Sequence, residues 1–196
     1  MALDYDFFTI EPIFSKPKKG KVLISEPFLG DQYFKRSVVL LTEHNKDGTV
    51  GFVLNKPVGI KIKEVIKDFP NIESVISLGG PVGTDTVHYL HTLGDMIPES
   101  VPVFQNIYWG GDFETVKNLL VSGLIDETKI RFFVGYSGWA PKQLDNEISE
   151  NSWVITQLHP KQIMENRSLD SWKKALIQLG KKYKLWANFP ENPDMN

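Results

Sequence analysis

The sequence predicts a single α+β domain with a mixed, largely antiparallel sheet that curls into a barrel and is flanked by helices. Strand-like runs come first, and helices follow at irregular intervals without the regular alternation typical of a doubly wound sheet. An Asp-Gly pair separates two of these runs, as in an antiparallel hairpin. The chain has 196 residues, 41% of them hydrophobic, which is enough for one well-formed core.

The predicted strands are continuous runs of Val, Ile, Leu and aromatic residues. In chain order they cover residues 22–24, 37–42, 50–54, 75–78, 87–93, 101–108, 130–134 and 153–155. The hairpin signal, Asn45-Lys46-Asp47-Gly48, joins the second run to the third, because glycine supplies a positive φ angle at low cost. We expect the run at 130–134 to end at Gly135.

Four helices are predicted from capping residues and from the helical spacing of apolar side chains. They begin near Ile62, after Asp112, at Pro141 and after Ser168, and they end near Phe69, Gly123, Ser149 and Gly180. In the last helix we expect four apolar side chains to face inward, namely Leu169, Trp172, Leu176 and Leu179.

The domain is predicted to span residues 20–187, between an N-terminal arm at 1–19 and a flexible tail at 188–196. The arm carries several Phe and Ile side chains and ends in a basic segment that contains Pro17. The tail contains Pro190 and Pro193 and resembles a poorly ordered terminus.

Composition excludes several classes of protein. The chain has no cysteine, so disulfides, Cys-ligated zinc, iron–sulfur clusters and thiol nucleophiles are excluded. A net charge of −2 argues against a globally basic nucleic-acid binder. The first residues lack the basic and apolar segments of a signal peptide, and no apolar run is long enough to cross a bilayer. We therefore expect a cytoplasmic protein that does not enter a membrane.

Two glycine-rich motifs fail as catalytic or phosphate-binding signatures. Gly135-Tyr136-Ser137-Gly138-Trp139 departs from the nucleophile elbow G-x-S-x-G, because Trp139 stands where a small residue is needed. Gly79-Gly80-Pro81 lacks the Lys-Ser/Thr of a phosphate-binding loop. His88 and His91 point to opposite faces of a strand, which makes them a poor chelating pair. The sequence predicts no metal site and no cofactor.

Polar and glycine residues gather where the predicted strands end, which is where folds commonly place ligands. The candidate ligand- or partner-binding residues are His44, Asn55, Gly79, Gly80, His91, Tyr136, Trp139, Gln143 and Glu147. Gln143 and Glu147 share one helix face because they are four residues apart. Structural interpretations stand beside the functional ones: His44 caps the hairpin, Asn55 bonds a turn, Trp139 packs in the core, and Glu147 is a buried acceptor rather than a base.

These residues, taken in order, resemble the AlgH/YqgE family of bacterial proteins. The clearest signature is Gly135-Tyr136-Ser137-Gly138-Trp139, with Gln143, Glu147 and Trp153 behind it. Earlier pieces appear in the same order: residues 20–27, 34–39, 43–45, 51–57, 78–82 and 90–92. The resemblance covers about residues 20–180. It implies a single α+β domain with a barrel-like core and an association with transcriptional regulation, and it supplies no catalytic residues.

Three positions depart from the family's pattern. Ser25 replaces a usual Ala, Lys142 a usual Gly and Asp145 a usual Glu. Lys142 precedes Gln143, so it bears on how closely a ligand approaches the start of that helix.

The leading hypothesis is a non-enzymatic cytoplasmic binding or regulatory protein that holds a small ligand or a protein partner at the candidate residues. One alternative is a hydrolase in which His44 or His91 acts as the base and Glu147 orients it. The other is nucleic-acid binding through basic C-terminal residues, with Trp172, Tyr183 and Trp186 stacking on bases. The basic residues are Lys173, Lys174, Lys181, Lys182 and Lys184. The sequence names no ligand, partner or oligomeric state.

Overall fold

The structure is a computed structural model that describes residues 16–165 and 167–190. The predicted arm at 1–19 therefore lies outside the described residues except for its last four, and so does the predicted tail from residue 191 onward. The strands are β1 (Val22–Ser25), β2 (Val38–Asn45), β3 (Gly48–Val53), β4 (Pro57–Lys61), β5 (Val75–Leu78), β6 (Val82–His91), β7 (Val101–Phe104), β8 (Ile107–Trp109), β9 (Ile130–Trp139) and β10 (Trp153–Thr156). The helices are α1 (Ile62–Val65), α2 (Phe113–Val121), α3 (Gln143–Ser149), α4 (Pro160–Glu165), α5 (Ser171–Gln178) and α6 (Lys181–Trp186).

The strands form one ten-stranded sheet in the order β10-β1-β2-β3-β9-β6-β8-β7. Off this path, β5 pairs in parallel with β9 and antiparallel with β4, whereas the pairs along the path are antiparallel. The predicted α+β domain with a mixed, largely antiparallel sheet is confirmed. No helix in the described part of the chain is long and apolar enough to cross a membrane.

The sheet curls, so that strands from its two ends contribute to one core. Val154 from β10 and Val103 from β7 belong to the same buried cluster, although their strands lie at opposite ends of the strand order. A Cβ added to Gly20, just before β1, would lie 2.8 Å from the Cβ of Phe104 in β7. Trp172 and Trp186, from α5 and α6, are fully buried in this cluster and cover the sheet. Burial of such large aromatic side chains is a main source of folding free energy.

Local signals place the hairpin and α2 as predicted. Asn45 pairs with Gly48 across the turn between β2 and β3, which confirms the hairpin. Asp112 precedes α2, and its carboxylate accepts a hydrogen bond from the Thr115 backbone N–H at 2.8 Å. This bond satisfies one of the free amide donors at the helix N-terminus.

Several strand predictions are wrong in their extent: the run at 87–93 belongs to β6, which begins at Val82 and ends at His91, and β4 was not predicted. The run at 101–108 is two strands, β7 and β8, because Gln105 takes a φ of 48° and reverses the chain. β9 does not end at Gly135 but continues to Trp139. Gly135 has a φ of 63°, which bends the strand; β6 pairs with β9 up to Tyr136, just beyond the bend, and β3 pairs with it from Ser137 onward.

The helix predictions are wrong at the C-terminus. Helix α4, which begins at Pro160, was not predicted. The predicted last helix is α5, which begins after Asp170, and Gly180 does not end the helical region but joins it to α6. Leu169 is 70% exposed because it precedes the helix instead of lying on its inner face. The first predicted helix, near Ile62 to Phe69, shortens to α1.

Candidate functional site

The structure brings three of the predicted site residues together around one carboxylate. Glu147 Oε2 accepts hydrogen bonds from the indole N–H of Trp139 at 2.9 Å and of Trp153 at 2.8 Å. Glu147 Oε1 accepts one from the Gln143 side-chain amide at 3.0 Å. We call Trp139, Gln143, Glu147 and Trp153 the indole–carboxylate cluster. It joins α3 to β9 and β10, and both carboxylate oxygens are already engaged, so its geometry is that of a structural connection.

Gly79, Gly80 and Tyr136 meet where β5 ends against β9. A Cβ on Gly79 would lie 2.3 Å from Gly135 O, and one on Gly80 would lie 2.3 Å from the carbonyl carbon and oxygen of Tyr136. Gly79 also receives a hydrogen bond on its carbonyl oxygen from the Ser137 hydroxyl at 2.9 Å. These glycines allow two backbones to touch, which requires residues without a side chain.

The side chains of Asn55 and His44 both contact neighbouring polar groups of the protein. Asn55 is fully buried; its Oδ1 accepts the Val38 N–H at 2.9 Å and its Nδ2 donates to the Arg36 carbonyl at 2.8 Å. His44 Nδ1 lies 2.7 Å from the Thr49 hydroxyl across the β2–β3 hairpin. His44 matches its structural interpretation, a hairpin contact, whereas Asn55 bonds the backbone at the start of β2 instead of its own turn.

His91 is buried with both ring nitrogens in contact with the protein. Nδ1 accepts the Leu93 N–H at 3.2 Å, while Nε2 lies 3.0 Å from Gly110 O and 3.0 Å from the Ser100 hydroxyl. His91 pairs with the first residue of β9, whereas Glu147 bonds Trp139, its last residue. Among the described residues no hydrogen bond joins His91 to Glu147, although the hydrolase hypothesis requires the two groups to meet.

One buried histidine, His91, and one half-buried histidine, His88, make stability depend on pH. Burial lowers the pKa of His91 and also that of His88, whereas an unfolded histidine titrates near 6.5. The unfolded chain therefore binds more protons below about pH 6.5, and stability falls as the pH drops through this range towards the lowered folded-state pKa.

We expect His91→Asn to weaken this pH dependence. Asparagine can accept from Leu93 and donate to Gly110 without titrating. Urea unfolding at pH 7.5 and pH 5.5 should show a smaller loss of unfolding free energy in His91→Asn than in wild type. Equal losses in the two proteins would contradict the assignment of a neutral buried imidazole.

The basic C-terminal helices do not present their aromatic side chains to solvent. Trp172, Tyr183 and Trp186 are each at most 3% exposed and belong to the core. These buried rings cannot stack on nucleic-acid bases. Only the charges of the nearby lysines could then attract a nucleic acid. This geometry weighs against the nucleic-acid alternative.

A large concave site lies elsewhere, between α4 and the sheet. A cavity of about 700 Å³, here called the α4 cavity, is bounded by α4, the turn between β7 and β8, the residue after β6 and a short 3₁₀ turn at Glu127–Lys129. Its polar lining includes Ser74, Thr92, Glu127, Lys129, His159 and Arg167. Its volume lies within the range of roughly 300–1,000 Å³ that is common for small-molecule sites, and its mostly polar lining suits a polar molecule.

Two polar atoms in residues that line this cavity have no hydrogen-bond partner among the described residues. Ser74 is 4% exposed, and its hydroxyl makes no hydrogen bond within the described part of the chain. The buried Oε2 atom of Glu127 also makes no hydrogen bond to any described residue. Buried polar atoms are ordinarily paired, so two unpaired ones in residues that line a single cavity are unusual.

None of the predicted site residues lines the α4 cavity. Sequence reasoning missed it because its residues come from turns and from α4, which was not predicted. One signal was present: Arg131 interrupts the apolar strand run 130–134, and a charged residue inside a buried strand is rare unless it is paired.

Within residues 16–165 and 167–190, no group of three or more His, Cys, Asp or Glu side chains is arranged to hold a metal ion.

Comparisons with known proteins agree on one family. A family profile described as AlgH-like matches residues 22–184. The chain is 43% identical to a UPF0301 protein of Bacteroides thetaiotaomicron over the full length of both, and 39% identical to one of Chlorobium limicola over 93% of this chain and 98% of that one. The solution structure of the AlgH protein from Pseudomonas aeruginosa is 26% identical with a TM-score of 0.71, and covers 89% of this chain and 96% of that one. A crystal structure from Corynebacterium diphtheriae shares the fold, with a TM-score of 0.76 at 24% identity over 96% of this chain and 100% of that one.

Proposed function

The chain belongs to the AlgH-like family, and on that premise we propose that it is a non-enzymatic binding protein that holds a small polar molecule in the α4 cavity. In this proposal the protein acts in the cytoplasm, and the regulatory role that the resemblance suggests depends on whether the cavity is occupied.

The observation that carries the proposal is the pair of unpartnered polar atoms at the cavity. A buried hydroxyl or carboxylate oxygen without a partner costs about 1–3 kcal/mol or more. Ser74 Oγ and Glu127 Oε2 both face this cost at one concave site. A ligand that donates to Glu127 and bonds Ser74 offsets it, which supports binding at this place over binding elsewhere.

The contacts of the candidate catalytic groups favour a binder over a hydrolase. His91 has both nitrogens in contact with neighbouring groups, His44 contacts Thr49, and Glu147 is held by two indoles. A general base needs a ring nitrogen or carboxylate oxygen that can reach a substrate proton.

A second candidate place is a shallower cavity of about 330 Å³ beside three members of the signature, Tyr136, Gly138 and Trp139. It adjoins the site predicted from sequence. It ranks behind the α4 cavity because its lining carries no unpartnered buried polar atom among the described residues.

The proposal is tested by thermal-shift measurements with a panel of α-amino acids, dicarboxylates, sugars, sugar phosphates and nucleoside monophosphates. Thr92→Trp places an indole in the cavity, and Val121→Trp adds the same bulk at a side chain that is 74% exposed on α2. We expect at least one compound to stabilise wild type and Val121→Trp but not Thr92→Trp. Equal stabilisation of all three proteins, or of none by any compound, would contradict the proposal.

Ser74→Ala separates binding from folding. It removes an unpartnered buried hydroxyl, so without ligand we expect the free energy of unfolding to stay unchanged or to rise by about 1 kcal/mol. The same change should weaken binding of a stabilising compound about 5- to 10-fold, because one hydrogen bond is lost. Urea unfolding and calorimetric titration check the two halves; a destabilised variant with unchanged affinity would show that Ser74 serves the fold.

A further inference from the structure

A fully buried guanidinium lies behind the α4 cavity without a carboxylate. Arg131 is 0% exposed. It donates to the Ile163 carbonyl in α4 at 2.6 Å and to the Leu54 carbonyl, and it lies 3.4 Å from the Ser77 hydroxyl. Its Nε has no partner, and no salt bridge joins it to any described residue. A buried cation is costly unless a negative charge compensates it.

A second guanidinium brings positive charge to the cavity wall. Arg167 is half-buried and lines the cavity, and its nitrogens reach the Met164 and Ile130 carbonyls only at 3.4 Å. Burial first, and then the charge of Arg167, lower the pKa of Arg131, so the two cations repel each other. Burial also lowers the pKa of Arg167, which the Glu127 carboxylate partly opposes.

The remaining charges at the cavity leave this excess in place. Glu73 pairs with Lys61, and Glu165 lies 4.0 Å from Lys161. Two lining cations, Arg167 and Lys129, therefore remain beside one carboxylate, Glu127, and the buried Arg131 adds positive charge close to Arg167. This excess of positive charge favours an anion at this wall of the cavity.

From this arrangement, and resting on the proposed function, we infer that the α4 cavity takes a small molecule with a carboxylate or phosphate group. The anionic group binds Arg167 and Lys129, with the charge of Arg131 behind them. A donor elsewhere on the molecule binds Glu127, and Ser74 contributes its hydroxyl. The fork of a guanidinium fits carboxylate and phosphate oxygens equally well, so both chemistries share the site.

Matched probes test the anion directly: succinate against its neutral diamide, and glucose 6-phosphate against glucose, at constant ionic strength. We expect the charged member of at least one pair to bind wild type at least 10-fold more tightly by calorimetry. The pair that shows the difference identifies carboxylate or phosphate as the preferred group. Equal binding of charged and neutral members in both pairs would overturn the inference.

Arg167→Gln should weaken binding of the charged probe at least 10-fold, whereas Lys174→Gln, an exposed lysine of α5 outside the cavity, should change it less than 2-fold. Arg131→Met removes the buried charge, and circular dichroism checks whether this variant folds. If it does not fold, the comparison of Arg167→Gln with wild type still tests the inference. Unchanged affinity in Arg167→Gln overturns the anion site. If affinity is unchanged in Arg167→Gln but Thr92→Trp abolishes binding of a compound, the proposed function survives without the anion site. If Thr92→Trp does not abolish binding either, the proposed function and the anion site both fail.

Discussion

Gly80→Ala is expected to prevent folding or to lower the free energy of unfolding by more than about 3 kcal/mol. An added Cβ would lie 2.3 Å from the carbonyl carbon and oxygen of Tyr136 and 2.4 Å from Ser137 N. These atoms are backbone of β9, the strand that pairs with both β3 and β6, so they cannot move without disturbing the sheet.

Gly30→Ala is the matched control. An added Cβ at Gly30 meets no atom within 4 Å, so the unfolding free energy should change by no more than about 0.5 kcal/mol. Urea denaturation followed by tryptophan fluorescence compares both variants with wild type. A Gly80→Ala protein with a wild-type midpoint would show that the two backbones do not touch.

Glu147→Ala is expected to lower the free energy of unfolding by about 2–4 kcal/mol. It leaves the indole N–H groups of Trp139 and Trp153 without their acceptor, and each unpaired buried donor costs about 1–3 kcal/mol. It also releases α3 from β9 and β10. The sequence alone left open whether Glu147 binds a ligand or serves the fold, and the structure favours the fold.

Two variants make this result specific. Glu147→Gln keeps an oxygen for both indoles and should cost only about 1 kcal/mol, because the charge is lost and the acceptor remains. Glu150→Ala removes an exposed carboxylate just after the same helix and should be near neutral. In urea unfolding we expect Glu147→Ala to be the least stable of the three variants, Glu147→Gln intermediate and Glu150→Ala close to wild type. A Glu147→Ala protein as stable as Glu150→Ala would show that the cluster contributes little.

Much of the sheet could be predicted because its signals are local. Continuous apolar runs mark buried strands, and the Asp-Gly turn specifies the β2–β3 pairing through glycine's conformational freedom. The split between β7 and β8 could not be predicted, because Gln105 adopts a positive φ that its side chain does not favour. Likewise Gly135 looked like a terminus but bends β9, since only the tertiary contact with Gly80 distinguishes a bend from an end.

The site was less predictable than the fold. The sequence correctly grouped Gln143 with Glu147 by helical spacing; the structure brings the predicted Trp139 to the same carboxylate and adds Trp153. It could not place His91 relative to Glu147, because strand order and register separate them. The α4 cavity combines residues from Ser74 to Arg167, and no local pattern links positions so far apart.

Two-dimensional ¹H–¹⁵N correlation spectra can show whether a small molecule binds in the α4 cavity. The protein is titrated with the panel compound that gives the largest thermal shift. We expect the amide signals of Ser74, Thr92, Glu127 and Arg167 to move in a saturable way, while those of Gly138 and Trp139 stay in place. Saturable shifts confined to Gly138 and Trp139, or small shifts spread over the whole chain, would contradict it.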